Sequence, residues 1–135
     1  MEDKGMERRA CSRFEIPGAT VSYKEKKLFF SKKEIAEEYT PVLDLSRGGL
    51  RFLGQELLKN KRRVSLIISI PDEGIPLSLK GRVLWTSFNP GKSYKYQIGI
   101  QFDPYGENKE QNSPEDLARL TTLEQKFSPE QETNK

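Results

Sequence analysis

The chain has 135 residues, of which 32% are charged and 34% hydrophobic, enough for one domain with a modest core and too little for a second. Histidine is absent and Cys11 is the only cysteine, which removes the commonest general base and metal ligand and excludes an intrachain disulfide or a thiolate zinc cluster. The net charge of +3 hides an asymmetry, because residues 103–135 hold eight acidic and four basic side chains, leaving 19 basic against 12 acidic in residues 1–102. A basic folded part suits an anionic partner, although a mixed, solvated surface is the commoner meaning of such a balance. The N-terminal MEDKGMERRA has no apolar core for export, and the most apolar run, Val64 to Ile70, is too short to cross a bilayer. These features predict a soluble, cytoplasmic protein with no membrane partner.

Residues 1–13 are polar, carry Arg8, Arg9 and Arg13, and show no hydrophobic period; they read as a flexible basic arm. From Phe14 the pattern changes, and Ala19, Val21 and Tyr23 alternate with Thr20 and Ser22 as a strand with one buried face does. Between Lys24 and Glu38 the chain is rich in charge. Ser31-Lys32-Lys33-Glu34 has the form of a capping box that would open a short helix at Ile35 and Ala36, and the segment otherwise reads as a solvated loop or a partner surface.

Pro41, Val42 and Leu43 lead into Asp44-Leu45-Ser46-Arg47-Gly48-Gly49-Leu50, a tight turn between two strands, after which Leu50 and Phe52 point inward and Arg51 outward. Val64, Leu66, Ile68 and Ile70 share one face, and Pro71-Asp72-Glu73-Gly74 reverses the chain. Leu77, Leu79, Val83 and Trp85 then share a face, opposed by Ser78, Lys80 and Arg82. Tyr94, Tyr96, Ile98, Ile100 and Phe102 form the last alternating series. Five or six short strands of this kind suggest a small antiparallel barrel, with an open sandwich as the alternative. Ser113-Pro114-Glu115-Asp116 is a helix start, and Leu117, Leu120, Leu123 and Phe127 form one stripe before Pro129. Residues 14–127 therefore form the domain, and residues 128–135 read as a disordered tail.

Catalysis finds no residue set. Cys11 lacks a histidine or resolving cysteine, and no phosphate-cradling GxxxxGK[ST] loop is present. Binding chemistry is better supplied. Arg9 and Arg13 have RxxxR spacing, as do Arg47 and Arg51, so the spacing alone is weak. Converging guanidiniums can hold a phosphate or the Hoogsteen edge of guanine, while an Asp accepts from guanine N1–H and N2–H₂ and a Ser hydroxyl does either. A plain hairpin explains part of the Asp44–Gly49 segment as well, since Asp and Ser bond local backbone.

In order, Arg8-Arg9-xxx-Arg13, a strand, Asp44-x-Ser46-x-x-Gly49, Gly81-Arg82-Val83-Leu84-Trp85 and Tyr96-Gln97-Ile98-Gly99-Ile100-Gln101-Phe102 resemble a PilZ domain over about Arg8 to Phe102. The resemblance implies a mainly all-β fold, a six-stranded antiparallel barrel with a C-terminal α-helix. It implies a non-enzymatic receptor for cyclic diguanylate (cyclic di-GMP), with no further cofactor. By the same resemblance Arg9 and Arg13 hold phosphate and guanine, Asp44 and Ser46 contact a guanine, and Gly49 keeps the turn open. Arg8 stands where arginine goes with two stacked ligand molecules per site. Ordering of the arm would signal to an unidentified protein target. The alternatives are a PilZ-like adaptor without nucleotide, and a barrel for single-stranded nucleic acid, which is disfavoured because most aromatics fall at inward positions.

Overall fold

Alternation of apolar and polar residues builds the wall of the molecule. The computed structural model describes residues 12–26, 35–90 and 93–128. Its strands are β1 (Thr20–Glu25), β2 (Glu37–Leu45), β3 (Gly49–Gly54), β4 (Arg63–Ser69), β5 (Leu77–Phe88) and β6 (Tyr96–Phe102). They close into an antiparallel barrel in the order β1-β2-β3-β6-β5-β4. Closure matters physically because it leaves no unpaired strand edge. The long β5 is shared, pairing with β4 through Leu77–Arg82 and with β6 through Gly81–Phe88.

The inward residues are those the period of two predicts. Val21, Tyr23, Leu50, Phe52, Leu66, Ile68, Leu77, Leu79 and Ile98 are each at most 2% exposed. Each such side chain contributes about 1.5–3 kcal/mol by leaving water. Tyr23 tilts against Phe52 with ring centroids 5.3 Å apart, joining β1 to β3 across the lumen.

Three register shifts interrupt the ladders among the described residues, and two of them are bulges that re-aim side chains of the outer face. In β2, Val42 pairs with Phe52 but Asp44 pairs with Arg51, so Leu43 is the extra residue. Without it Asp44 would point into the core; with it, Leu45 enters the core opposite Leu50 and Asp44 faces Arg51 on the outside. In β5, Val83 pairs with Ile100 but Trp85 pairs with Gly99, which makes Leu84 the extra residue. The expectation that Trp85 shares the inner face is therefore corrected: the bulge turns it to the outer face, where it is partly exposed.

The residues of the expected capping box, Ser31 to Glu34, lie outside the described residues. Ile35 and Ala36, onto which it would open, are not helical. The Ala36 amide already bonds the Tyr23 carbonyl at 2.8 Å, and Glu37 begins β2. Tertiary demand overrides local preference here, since the Glu37 carboxylate accepts from the Tyr23 hydroxyl at 2.5 Å and from the Gln55 and Glu56 amides.

Helix α1 (Pro114–Phe127) starts where the sequence predicts. Ser113 caps it by accepting from the Glu115 amide at 2.9 Å, and Glu115 and Asp116 complement the positive end. Leu120 and Leu123 are buried against the barrel and Phe127 is half-buried. Ser128, expected to begin the tail, caps the helix C-terminus through a 2.8 Å bond from its amide to the Glu124 carbonyl. Residues 129–135 lie outside the described residues. Among the described residues no helix is long and apolar enough to cross a membrane.

Candidate functional site

The site is assembled where the chain before β1 meets the end of β2. Phe14 exchanges backbone hydrogen bonds with Leu45 at 2.8 and 2.9 Å, and its ring is buried at 1% exposure. Pairing flips neighbours to the same side, so Phe14 and Leu45 face the core while Arg13 and Asp44 emerge together on the outside. Arg13 Nη1 reaches Asp44 Oδ1 at 3.1 Å. Arg8 and Arg9 lie outside the described residues, and so does Cys11.

Asp44 is held from the other side by Arg51. The Arg51 Nε donates to both carboxylate oxygens, at 3.2 and 3.0 Å, and its Nη2 donates to Oδ2 at 2.6 Å. This fork is the strong, orienting kind of ion pair. Its bonds to Asp44 hold the Arg51 guanidinium above its ordinary pKa, against the opposing effect of burial. The Asp44 side chain is 6% exposed, whereas those of Arg13 and Arg51 are 56% and 37% exposed. A nearly buried carboxylate is thus covered by two accessible guanidiniums.

Ser46 sits two residues on, and its hydroxyl is turned into the chain reversal. Ser46 Oγ accepts from the Gly48 and Gly49 amides, each at 3.1 Å, and its own amide bonds the Gly49 carbonyl at 2.8 Å. The turn is also tied from outside. Tyr105 donates its hydroxyl to the Arg47 carbonyl at 2.6 Å, the Phe102 amide bonds the Gly48 carbonyl, and Arg47 Nε pairs with Glu124 of α1 at 3.1 Å.

Gly49 has a different role from the one expected. It is not in a left-handed conformation; it is the first residue of β3, where a Cβ would lie 2.0 Å from the Ile100 carbonyl oxygen. Glycine is required there for close approach of β3 to β6, and not to open the turn.

Two residues join the site that sequence reasoning did not place in it. Arg51 was legible only as the second arginine of an unspecific RxxxR spacing, and its cross-strand position opposite Asp44 depends on the bulge at Leu43. For Trp85 the period of two along β5 predicts an inward position, which hides it from the site. Across the outer face, Asp44 of β2 pairs with Arg51 of β3, Arg51 with Gly99 of β6, and Gly99 with Trp85 of β5. The indole lies directly over Gly99, where a Cβ would come within 2.4 to 2.8 Å of its ring atoms. The four residues form one row, with the Asp44 carboxylate at one end, the Arg51 guanidinium beside it, and the flat Trp85 indole two strands beyond Arg51, roughly 10 Å on. Such a row can hold phosphate by Arg13 and Arg51, accept from a base at Asp44 and stack a base on Trp85. No group of acidic or cysteine side chains among the described residues is arranged to hold a metal ion.

Comparison with known proteins agrees with this architecture. The PilZ domain model matches residues 7–120, and the chain belongs to the PilZ domain family, a family of cyclic diguanylate receptors whose members are generally non-enzymatic. No curated protein sequence matches the chain. Among solved structures, that of the Bacillus subtilis inhibitor of motility (MotI/DgrA) superposes with a TM-score of 0.59 at 18% sequence identity. The match covers 86% of this chain and 48% of that one, so the chain spans about half the length of this structural neighbour.

Proposed function

We propose that this protein is a non-enzymatic cytoplasmic receptor for cyclic diguanylate, with Arg8, Arg9, Arg13, Asp44 and Ser46 as its binding residues and Arg51 and Trp85 as additions. The observation that carries the reading is the meeting of the two motifs: the second arginine of RxxxR is hydrogen-bonded to the aspartate of DxSxxG at 3.1 Å, across the Phe14–Leu45 bridge. Arg13 makes one bond to Asp44 and is the more exposed of the two guanidiniums, so it is the one free to swing onto a phosphate while Arg51 keeps the carboxylate in place. Once Arg13 swings away, Asp44 Oδ1 regains an acceptor site for a guanine N–H edge. Residues 1–13, as an arm, close over the bound nucleotide, and that closure is the signal to a protein target.

Arg8 supports two stacked ligand molecules per site. Isothermal titration of the full chain with cyclic diguanylate measures affinity and stoichiometry together, and Trp85, the only tryptophan, reports stacking by a change in its emission. Saturation at two molecules per chain with a change in indole emission is the expected result. One molecule per chain discards the stacked pair alone, and absence of binding by the folded protein discards the receptor.

A further inference from the structure

A second cationic face occupies the opposite wall of the barrel. In the closed strand order β4 and β5 stand across from β3 and β2, so this face lies away from Asp44 and Arg51 and meets their row only at its Trp85 end, on β5. On its outer surface Arg63 lies directly opposite Arg82, and Lys24 faces Ser65, which in turn faces Lys80. Like charges placed opposite each other in an antiparallel pair cost stability. Only part of this charge is answered within the chain. Arg63 pairs with Asp103 at 2.8 Å, and the nearby Glu25 is taken by Arg62 at 3.6 Å. Lys24, Lys26, Arg82 and Lys109 form no ion pair among the described residues, and Glu110 is the one remaining acid in the lining.

The surface is concave. A cavity of about 540 Å³ between Arg63, Arg82 and Lys109 adjoins one of about 280 Å³ between Lys24, Lys26 and Lys80, and Arg63 lines both. The wall formed by residues 103–113 is held in place. Asn112 bonds the Lys80 amide and carbonyl at 2.8 and 2.9 Å, and Lys80 Nζ donates to the Lys109 carbonyl.

We infer that this groove docks an acidic, extended segment of a partner protein. Lys80 and Arg82 project from the same face two residues apart, about 6.6 Å along the strand. Acidic side chains at alternate positions of an extended peptide repeat at the same spacing, so successive carboxylates meet successive cations. Nucleic acid fits less well, because no aromatic side chain lines either cavity to receive a base.

The test is fluorescence anisotropy of a dye-labelled oligoglutamate peptide titrated with the full chain at low and physiological salt. Binding that weakens with salt is expected, with Arg82→Glu lowering affinity at least about tenfold. Lys24→Glu should act in the same direction. Lys95→Glu, an equal charge change at an exposed site away from the groove, should leave binding unchanged. Melting curves check folding, and Arg82→Gln replaces the reversal if that variant is unfolded. Equal losses for Arg82→Glu and Lys95→Glu, no peptide binding at low salt, or tighter binding of an oligothymidine than of the peptide would each overturn the inference. Cyclic diguanylate titration of Lys24→Glu, on β1 and away from both Asp44 and Trp85, should be unaltered, so failure here and failure of the nucleotide reading are distinguishable.

Discussion

Arg51 grips Asp44 across the β2–β3 ladder through three hydrogen bonds, the shortest 2.6 Å, and so fixes a carboxylate that Arg13 reaches by one. Loss of Arg51 would leave Asp44 nearly buried with a single exposed partner. Arg51→Ala is expected to lower stability by about 1–3 kcal/mol and cyclic diguanylate affinity by one to two decades. Arg51→Lys keeps the charge without the fork and should recover only part of either. Chemical denaturation and calorimetry on the same samples separate the two effects; an unchanged affinity would remove Arg51 from the site.

Ser46 carries a turn as well as a proposed ligand contact, which predicts a double effect. Ser46→Ala leaves the Gly48 and Gly49 amides without their side-chain acceptor and should cost about 1–2 kcal/mol before any nucleotide is added. Ser46→Thr keeps the acceptor and should restore most of that stability. Thermal melts without ligand are the measurement, and a wild-type melting point for Ser46→Ala would contradict the assignment.

Gly49→Ala and Gly99→Ala test the two close approaches. A methyl at Gly49 would press on the Ile100 carbonyl oxygen, which is backbone and cannot rotate away. That variant should lose more than about 3 kcal/mol or fail to accumulate as folded protein. A methyl at Gly99 meets a side chain instead, so the expected result is a folded barrel with a displaced indole, read as shifted tryptophan emission and weaker nucleotide binding. If Gly49→Ala melts like the wild type, the packing of β3 on β6 has been misjudged.

Tyr23 gives the molecule an alkaline limit. Burial first, and then its hydrogen bond to Glu37, push the phenol well above its ordinary value. A raised folded-state pKa means that the stabilisation is complete below the unfolded-state value of about 10 and is lost as pH rises beyond it. Stability should fall steeply above about pH 10, with Tyr23 ionising only as the barrel opens. Tyr23→Phe should flatten that fall while Glu37 still accepts from Gln55 and Glu56. Absorbance titration of tyrosinate alongside circular dichroism tests this, and tyrosinate from Tyr23 in a still-folded protein would refute it.

The amino-acid sequence by itself determined the strands, the lumen residues and helix α1. These follow from periods of two and three to four and from the Ser113 cap, all of them local. It also supplied the two motifs that carry the family. The tertiary structure alone decided which face Asp44 and Trp85 occupy, since a single extra residue at Leu43 or Leu84 reverses the side of everything beyond it and leaves no mark in composition. The pairing of Asp44 with Arg51, the reason for glycine at position 49 and the start of β2 at Glu37 are likewise properties of closure. Each depends on what the neighbouring strand presents at that height, which a reading along one chain does not contain.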